Sequence, residues 1–206
     1  MKISDCFLCD PRRELVFAES SNFRALLGLG PIVEGYSLIA TKDHVPSMFD
    51  LDDHLAKEFR EFSAQVTEII SRLWGPPVIT EHGRIGLCIK KQRRHESHCM
   101  HAHQLLFPGV PPFDNCMEAS LIEPIIADGF ESARRMASHL TEYLYYEAPG
   151  GRVLIGNAPA HLRRQFFRAG AANAIGRPEF QSWNEHPRLD VVASAQSRLG
   201  LTTNVS

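Results

Sequence analysis

Residues His98-Cys99-Met100-His101-Ala102-His103-Gln104-Leu105-Leu106-Phe107-Pro108 set two imidazoles two positions apart in a run that reads as a β-strand. Side chains two apart on a strand share a face, so Cys99, His101, His103 and Leu105 line one surface and Gln104 faces the other. Imidazole titrates near neutrality, binds borderline metals and can attack an electrophile, and adjacent copies can divide those tasks. The same spacing also suits a metal pair or a polar strand face. Near the N-terminus, Cys6-Phe7-Leu8-Cys9 has the spacing with which two thiolates chelate one zinc ion. A redox pair is the other reading of that spacing, but no strand and helix of a thioredoxin-like unit precede it. The run from Gly35 to Pro46 reads as a strand ending in a histidine, and His44 with His101 would complete a Cys2His2 tetrahedron.

Positioning these groups requires a sheet. Residues 15–18 and 23–27 read as a hairpin about the turn-like Glu19-Ser20-Ser21-Asn22, and residues 36–40 as a buried strand. Asp50 reads as a helix N-cap. Leu51, Leu55, Phe59, Phe62, Val66, Ile69, Ile70 and Leu73 then recur at helical spacing until Gly75-Pro76-Pro77 stops the element. Residues 78–81 read as a strand, and the loop that follows carries Lys90, Lys91, Arg93 and Arg94, either an anion-holding group or a solvated surface. Beyond Pro108 come a proline-rich loop, a strand over 121–126 and a short helix over 130–139. A hairpin of 142–147 and 152–155 turns at Pro149-Gly150-Gly151, and Pro159 opens a helix running to about residue 174.

Composition sets the class. With 206 residues, 44% of them hydrophobic, and a formal net charge of −2, the chain can bury a substantial core and carries no field favouring nucleic acid or a membrane. No stretch is apolar enough to span a bilayer, and no secretory signal is read at the N-terminus. Five cysteines, two of them assigned to zinc, fit a reducing compartment, hence a cytoplasmic protein, with Cys88, Cys99 and Cys116 as ordinary thiols.

Cys6 and Cys9, the stretch Gly30-Pro31-Ile32-Val33-Glu34-Gly35-Tyr36-Ser37-Leu38-Ile39, Lys42-Asp43-His44, Glu81-His82-Gly83, and His101-Ala102-His103 followed by Phe107-Pro108 together resemble the histidine-triad (HIT) superfamily. The resemblance runs from Cys6 to about Pro108. It is most similar to bacterial HIT-like proteins with a Glu-His-Gly segment and a C-terminal extension, and more distantly to galactose-1-phosphate uridylyltransferase and the diadenosine tetraphosphate phosphorylases. It implies an α+β fold, an antiparallel sheet with a long packed helix, divided into a HIT-like core (1–115) and a C-terminal helical extension (116–206). It also implies a nucleotidyl hydrolase or transferase with structural zinc on Cys6, Cys9, His44 and His101. His103 is then the nucleophile that attacks a nucleotide α-phosphate to give a nucleotidyl-histidine. The expected partner is a nucleotide or nucleotide conjugate, with a two-fold homodimer and no sequence-specific nucleic acid.

The chain departs from the full His-x-His-x-His pattern. Matching Pro108 to the proline that follows the motif sets the three positions at His101, His103 and Leu105, so the third histidine is missing. The other register starts at Cys99 and makes His101 the nucleophile. The first is preferred because it keeps a zinc histidine and the family distance to proline. Gln104 resembles the glutamine that uridylyltransferases carry at the third position, yet pleat parity turns it away from His103 unless a bulge intervenes. Leucine cannot donate a hydrogen bond, so the rival expectation is a nucleotide-binding protein with reduced or lost catalysis. His98 is a reserve phosphate donor. Gln165 and Arg168, with Trp183 after them, resemble a signature of the extended relatives and serve either substrate contact or packing of the extension.

Overall fold

A strand apolar at consecutive positions needs cover on both faces. Strands β2 (Phe23–Leu27) and β3 (Ser37–Thr41) are buried at every position, and β5 (His103–Pro108) at all but its first. The computed structural model, which describes residues 6–85 and 101–201, supplies that cover by layering helices on each side of one sheet. The other strands are β1 (Val16–Glu19), β4 (Pro77–Gly83), β6 (Ile122–Ala127), β7 (Tyr143–Glu147) and β8 (Val153–Asn157). Their order is β1-β2-β3-β5-β4-β7-β8-β6, and every pairing is antiparallel.

On one face, α1 (Asp53–Trp74) and α3 (Gly129–Ala137) bury Phe23, Ala25, Ile39, Ile79, Leu106, Tyr143 and Tyr145. On the other, α2 (Asp114–Ser120), α4 (Phe166–Ala174) and α5 (Leu189–Arg198) pack on Leu26, Leu38, Val78, Leu105, Phe107, Leu144 and Tyr146. Helix α1 presents Ala56, Phe59, Phe62, Val66 and Ile70 to the sheet, the stripe legible in its spacing. Gly75 ends it at φ 96°, where any other residue would be strained. The N-cap is Asp52, whose side chain accepts from Leu55 N–H at 2.8 Å, rather than Asp50. Asp50 lies in a 3-10 turn (Met48–Asp50), and its carboxylate is taken by Arg84.

The second half of the chain contains the expected strand near 121–126 and the hairpin near 142–155, and these join the sheet of the first half. Strand β7 pairs with β4 from Ile79↔Glu147 to Gly83↔Tyr143, so residues on both sides of position 115 share one sheet. Tyr143, Tyr145 and Tyr146 are fully buried in it. The expected helix over 159–174 is shortened to α4, because Gln165 sits in the left-handed region at φ 57° and an α-helix cannot run through that conformation. Helix α2 was not expected. Seven residues behind a proline-rich loop are too few for periodicity to register. Among the described residues, no helix is long and apolar enough to cross a membrane.

Candidate metal centre and histidine face

The knuckle Cys6–Cys9 closes through a Cys9 N–H to Cys6 carbonyl bond of 3.0 Å, which turns both sulfurs to the same side. The chain before β5 is threaded between two segments. Ala102 N–H donates to the Val45 carbonyl at 2.7 Å, and Thr41 N–H donates to the Ala102 carbonyl at 3.3 Å. His101 and His44 are thereby brought to the knuckle. Nδ1 of His101 lies 3.3 Å from Cys6 Sγ and 3.5 Å from Cys9 Sγ, and Nδ1 of His44 lies 3.4 Å from Cys9 Sγ. All four ligand atoms fall within 4.8 Å of one another. Tetrahedral zinc with its usual bond lengths sets sulfur and nitrogen ligands about 3.5 Å apart. The three sulfur–nitrogen pairs named above already have that spacing, and the widest pair in the set would have to draw in to close on one ion.

The surroundings hold the ligands in the protonation state a metal needs. His101 Nε2–H donates to the Thr41 carbonyl at 2.8 Å, which leaves Nδ1 as the lone-pair nitrogen facing the thiols. Burial pushes His101 down to about 4, partly opposed by that carbonyl, and burial also lowers His44. Both rings are neutral at physiological pH, as ligation requires. The four residues Cys6, Cys9, His44 and His101 could hold a metal ion.

His103, two residues on, has a different environment. Its Nδ1–H donates to the His101 carbonyl at 2.7 Å, which fixes the tautomer with an unprotonated Nε2. Burial lowers its pKa, so the ring stays neutral. With Nδ1 protonated, the lone pair of the neutral ring sits on Nε2, the form in which an imidazole can bind a metal or attack an electrophile. Across the sheet, His103 pairs with Ala40 on β3, and Ala40 pairs with Arg24 on β2. Side chains opposite one another on neighbouring strands share a face. Arg24 is buried, and its Nε has no hydrogen-bond partner among the described residues. A buried cation beyond a residue as small as alanine gives this row a positive end. Arg24 was missed in the sequence, although one arginine inside an otherwise apolar strand was the available signal.

The remaining sequence candidates separate. Gln104 lies on the opposite face from His103, as pleat parity requires, and no bulge interrupts β5. It lines a hollow beneath α1 with Phe59, Ser63 and Tyr145, on the same face as Glu81. The structure thus corrects its assignment to the His103 site. Arg168 is likewise committed elsewhere. It is buried; Nε donates to the Gln181 carbonyl at 3.0 Å, and Nη2 to the carbonyls of Gly30 at 2.6 Å and Phe180 at 3.0 Å. Its guanidinium also lies over the Tyr36 ring, so Arg168 clamps the C-terminal segment to the Gly30-Pro31 loop rather than waiting for substrate. Trp183 packs there too, since a Cβ at Gly30 would fall 2.5 Å from that of Trp183. Gln165 is half-buried at the N-cap of α4 and makes no side-chain cap bond. His98, His95, Cys88, Cys99 and the basic residues 90–94 lie outside the described residues.

The Glu-His pair on β4 splits between the faces. Glu81 is buried on the α1 side, where its Oε1 accepts from Met48 N–H at 2.8 Å and Tyr143 O–H at 2.9 Å. Burial pushes it up to about 7. His82 points to the His103 side and packs on Phe167 of α4, with ring centroids 4.4 Å apart.

No family model matches the chain, and no curated protein matches it. Solved structures do. A hypothetical histidine triad nucleotide-binding protein from Sulfolobus tokodaii is 20% identical, with a TM-score of 0.38 over 50% of this chain and 68% of that one. A member of the HIT family from Bacillus subtilis is 17% identical, with a TM-score of 0.39 over 50% and 72%. A HIT family hydrolase from Clostridium thermocellum is 17% identical, with a TM-score of 0.39 over 53% and 94%. Each of these likenesses spans about half of this chain.

Proposed function

We propose that the protein is a nucleotidyl hydrolase or transferase in which His103 Nε2 attacks the α-phosphorus of a nucleotide ester, anhydride or phosphoramidate. The observation that carries this reading is the 2.7 Å bond from His103 Nδ1–H to the His101 carbonyl, which leaves the second nitrogen unprotonated beside a metal-competent cluster. Attack forms an N–P bond and breaks the bond from phosphorus to the leaving group, which departs with the electron pair and takes a proton from water. Water or another acceptor then displaces the histidine. Splitting one displacement into two is the gain of covalent catalysis. The negative charge of the phosphoryl oxygens finds the positive end of the row at Arg24. Cys6, Cys9, His44 and His101 would hold zinc as a structural tie, since four protein ligands would leave it no open position for substrate. Thiolate ligation is consistent with a reducing, cytoplasmic setting. A two-fold homodimer, expected from the resemblance, forms part of the same proposal.

Leu105 supports a second reading. It is buried in the apolar cluster at the third motif position, where it offers no donor, and this suits a nucleotide-binding protein of slow turnover. Incubation with labelled nucleoside 5′-phosphoramidates and dinucleoside polyphosphates separates the two. The enzyme reading expects product release that His103→Ala abolishes, together with a nucleotidylated peptide containing His103. Tight binding without turnover selects the second reading, and neither binding nor turnover refutes both.

A further inference from the structure

The Thr80↔Leu105 pairing of β4 with β5, carried two residues along both antiparallel strands, sets His82 opposite His103. Residues so placed have Cβ atoms about 5 Å apart and present their side chains to one volume. Parity agrees, because Val78 on β4 and Leu105 and Phe107 on β5 all belong to the cluster on this face. Nε2 of His82 is buried, yet it has no hydrogen-bond partner among the described residues. A buried polar atom left unpaired costs stability unless something supplies its partner. Phe167 from α4 packs against the ring, with centroids 4.4 Å apart.

We propose that His82 supplies, from the neighbouring strand, the hydrogen-bond donor that Leu105 cannot supply, with its Nε2–H contacting a nonbridging oxygen of the phosphoryl group under attack by His103. This rests on the reading of His103 as the nucleophile. His82 is a donor and not a proton-transfer acid. Burial, with His103 nearby, pushes its pKa down to about 3, so the ring is neutral at physiological pH and keeps its proton throughout. The N–P bond forms at His103, the leaving group takes the electron pair, and the hydrogen bond from His82 strengthens as charge builds on the phosphoryl oxygen. The donor is fixed before substrate arrives, because Phe167 and the sheet set the ring plane. It also gives α4 a task, since the C-terminal half of the chain then provides the wall that orients a catalytic residue on the N-terminal half.

The test compares wild type with His103→Ala, His82→Phe, His82→Gln and His82→Leu on a nucleoside 5′-phosphoramidate and on the same compound with one nonbridging oxygen replaced by sulfur. His82→Phe keeps the aromatic contact with Phe167 and removes only the donor. It is expected to lower kcat about 100-fold, the usual effect of deleting one donor to a developing oxyanion, with KM little changed. His82→Gln, which retains an N–H, recovers part of the rate. The rate cost of sulfur is smaller in His82→Phe than in wild type, a readout that mere packing would not move. If the phenylalanine variant does not fold, His82→Leu takes its place in both measurements. A folded, metal-loaded donorless variant with wild-type kcat, or with an unchanged sulfur effect, overturns the proposal while leaving His103 intact as nucleophile. Wild type and His103→Ala indistinguishable in rate would instead remove the nucleophile, and the role of His82 with it.

Discussion

Glu81 offers a quantitative test of the packing on the α1 face. Its carboxyl is fully enclosed, and burial raises its pKa from 4.5 to about 7 despite the hydrogen bonds from Met48 N–H and Tyr143 O–H that favour the charged form. Because the folded-state value lies above the unfolded one, the native state holds more protons between these two pH values, and stability falls as pH rises through that window. The stabilising contribution is complete below pH 4.5, declines from there to about pH 7, and changes no further once both states are ionised. At 1.36 kcal/mol per unit, the interval is worth about 3 kcal/mol. Glu81→Gln keeps an oxygen for Met48 N–H and Tyr143 O–H and cannot ionise. Urea denaturation of both proteins from pH 5 to 8, at saturating zinc, is expected to give curves that diverge with pH, the variant gaining on wild type by an amount approaching that figure. Taking the difference removes the pH dependence of metal binding, which the two share. Parallel curves, separated by the same free energy throughout, would show that the carboxyl is not desolvated as described.

Three further outcomes follow from the geometry. Cys6→Ser is expected to leave the protein with less than one equivalent of zinc by elemental analysis and a lower Tm, and retention of a full equivalent removes Cys6 from the ligand set. Arg168→Met strands three carbonyls that the guanidinium now serves and is expected to cost about 2–4 kcal/mol in urea denaturation with nucleotide affinity unchanged; a loss of affinity at constant stability would return Arg168 to the substrate site. Asp52→Ala removes the cap on Leu55 N–H and is expected to lower stability by about 1 kcal/mol without altering the urea m-value, whereas a null effect would place the start of α1 elsewhere.

Features that depend on local periodicity were readable in the chain. The stripe of α1, the hairpin of β1 with β2, and β5 with its imidazole face all follow from spacing alone. The clustering of Cys6, Cys9, His44 and His101 was readable too, because a two-residue thiolate knuckle and a histidine at a strand end restrict the ligand choices severely, and Nδ1 of His101 does face the sulfurs. Helix starts were less legible. Asp50 and Asp52 both carry an acceptor, and what separates them is that Arg84, far along the chain, claims the first. In the second half the strand over 121–126 and the hairpin of 142–147 with 152–155 were legible as elements, but not the sheet they join. Only the pairing with β4 explains why three tyrosines are wholly enclosed there, and pairing is not a local property.

The same distinction accounts for the site. Motif reading proceeds along one strand and so finds His101, His103 and the leucine where a third histidine would stand. Sheet order runs the other way. By placing β5 between β3 and β4, it makes the row Arg24, Ala40, His103, in which consecutive members are 16 and 63 positions apart in the chain, and carries it on to His82. On the proposed reading, a donor missing from the motif need not be missing from the site, since a phosphoryl group at His103 would lie as near to the side chain opposite as to the one two residues along. On the proposed reading, whether Leu105 silences this chain depends on β4, where the buried Nε2 of His82 has no hydrogen-bond partner among the described residues.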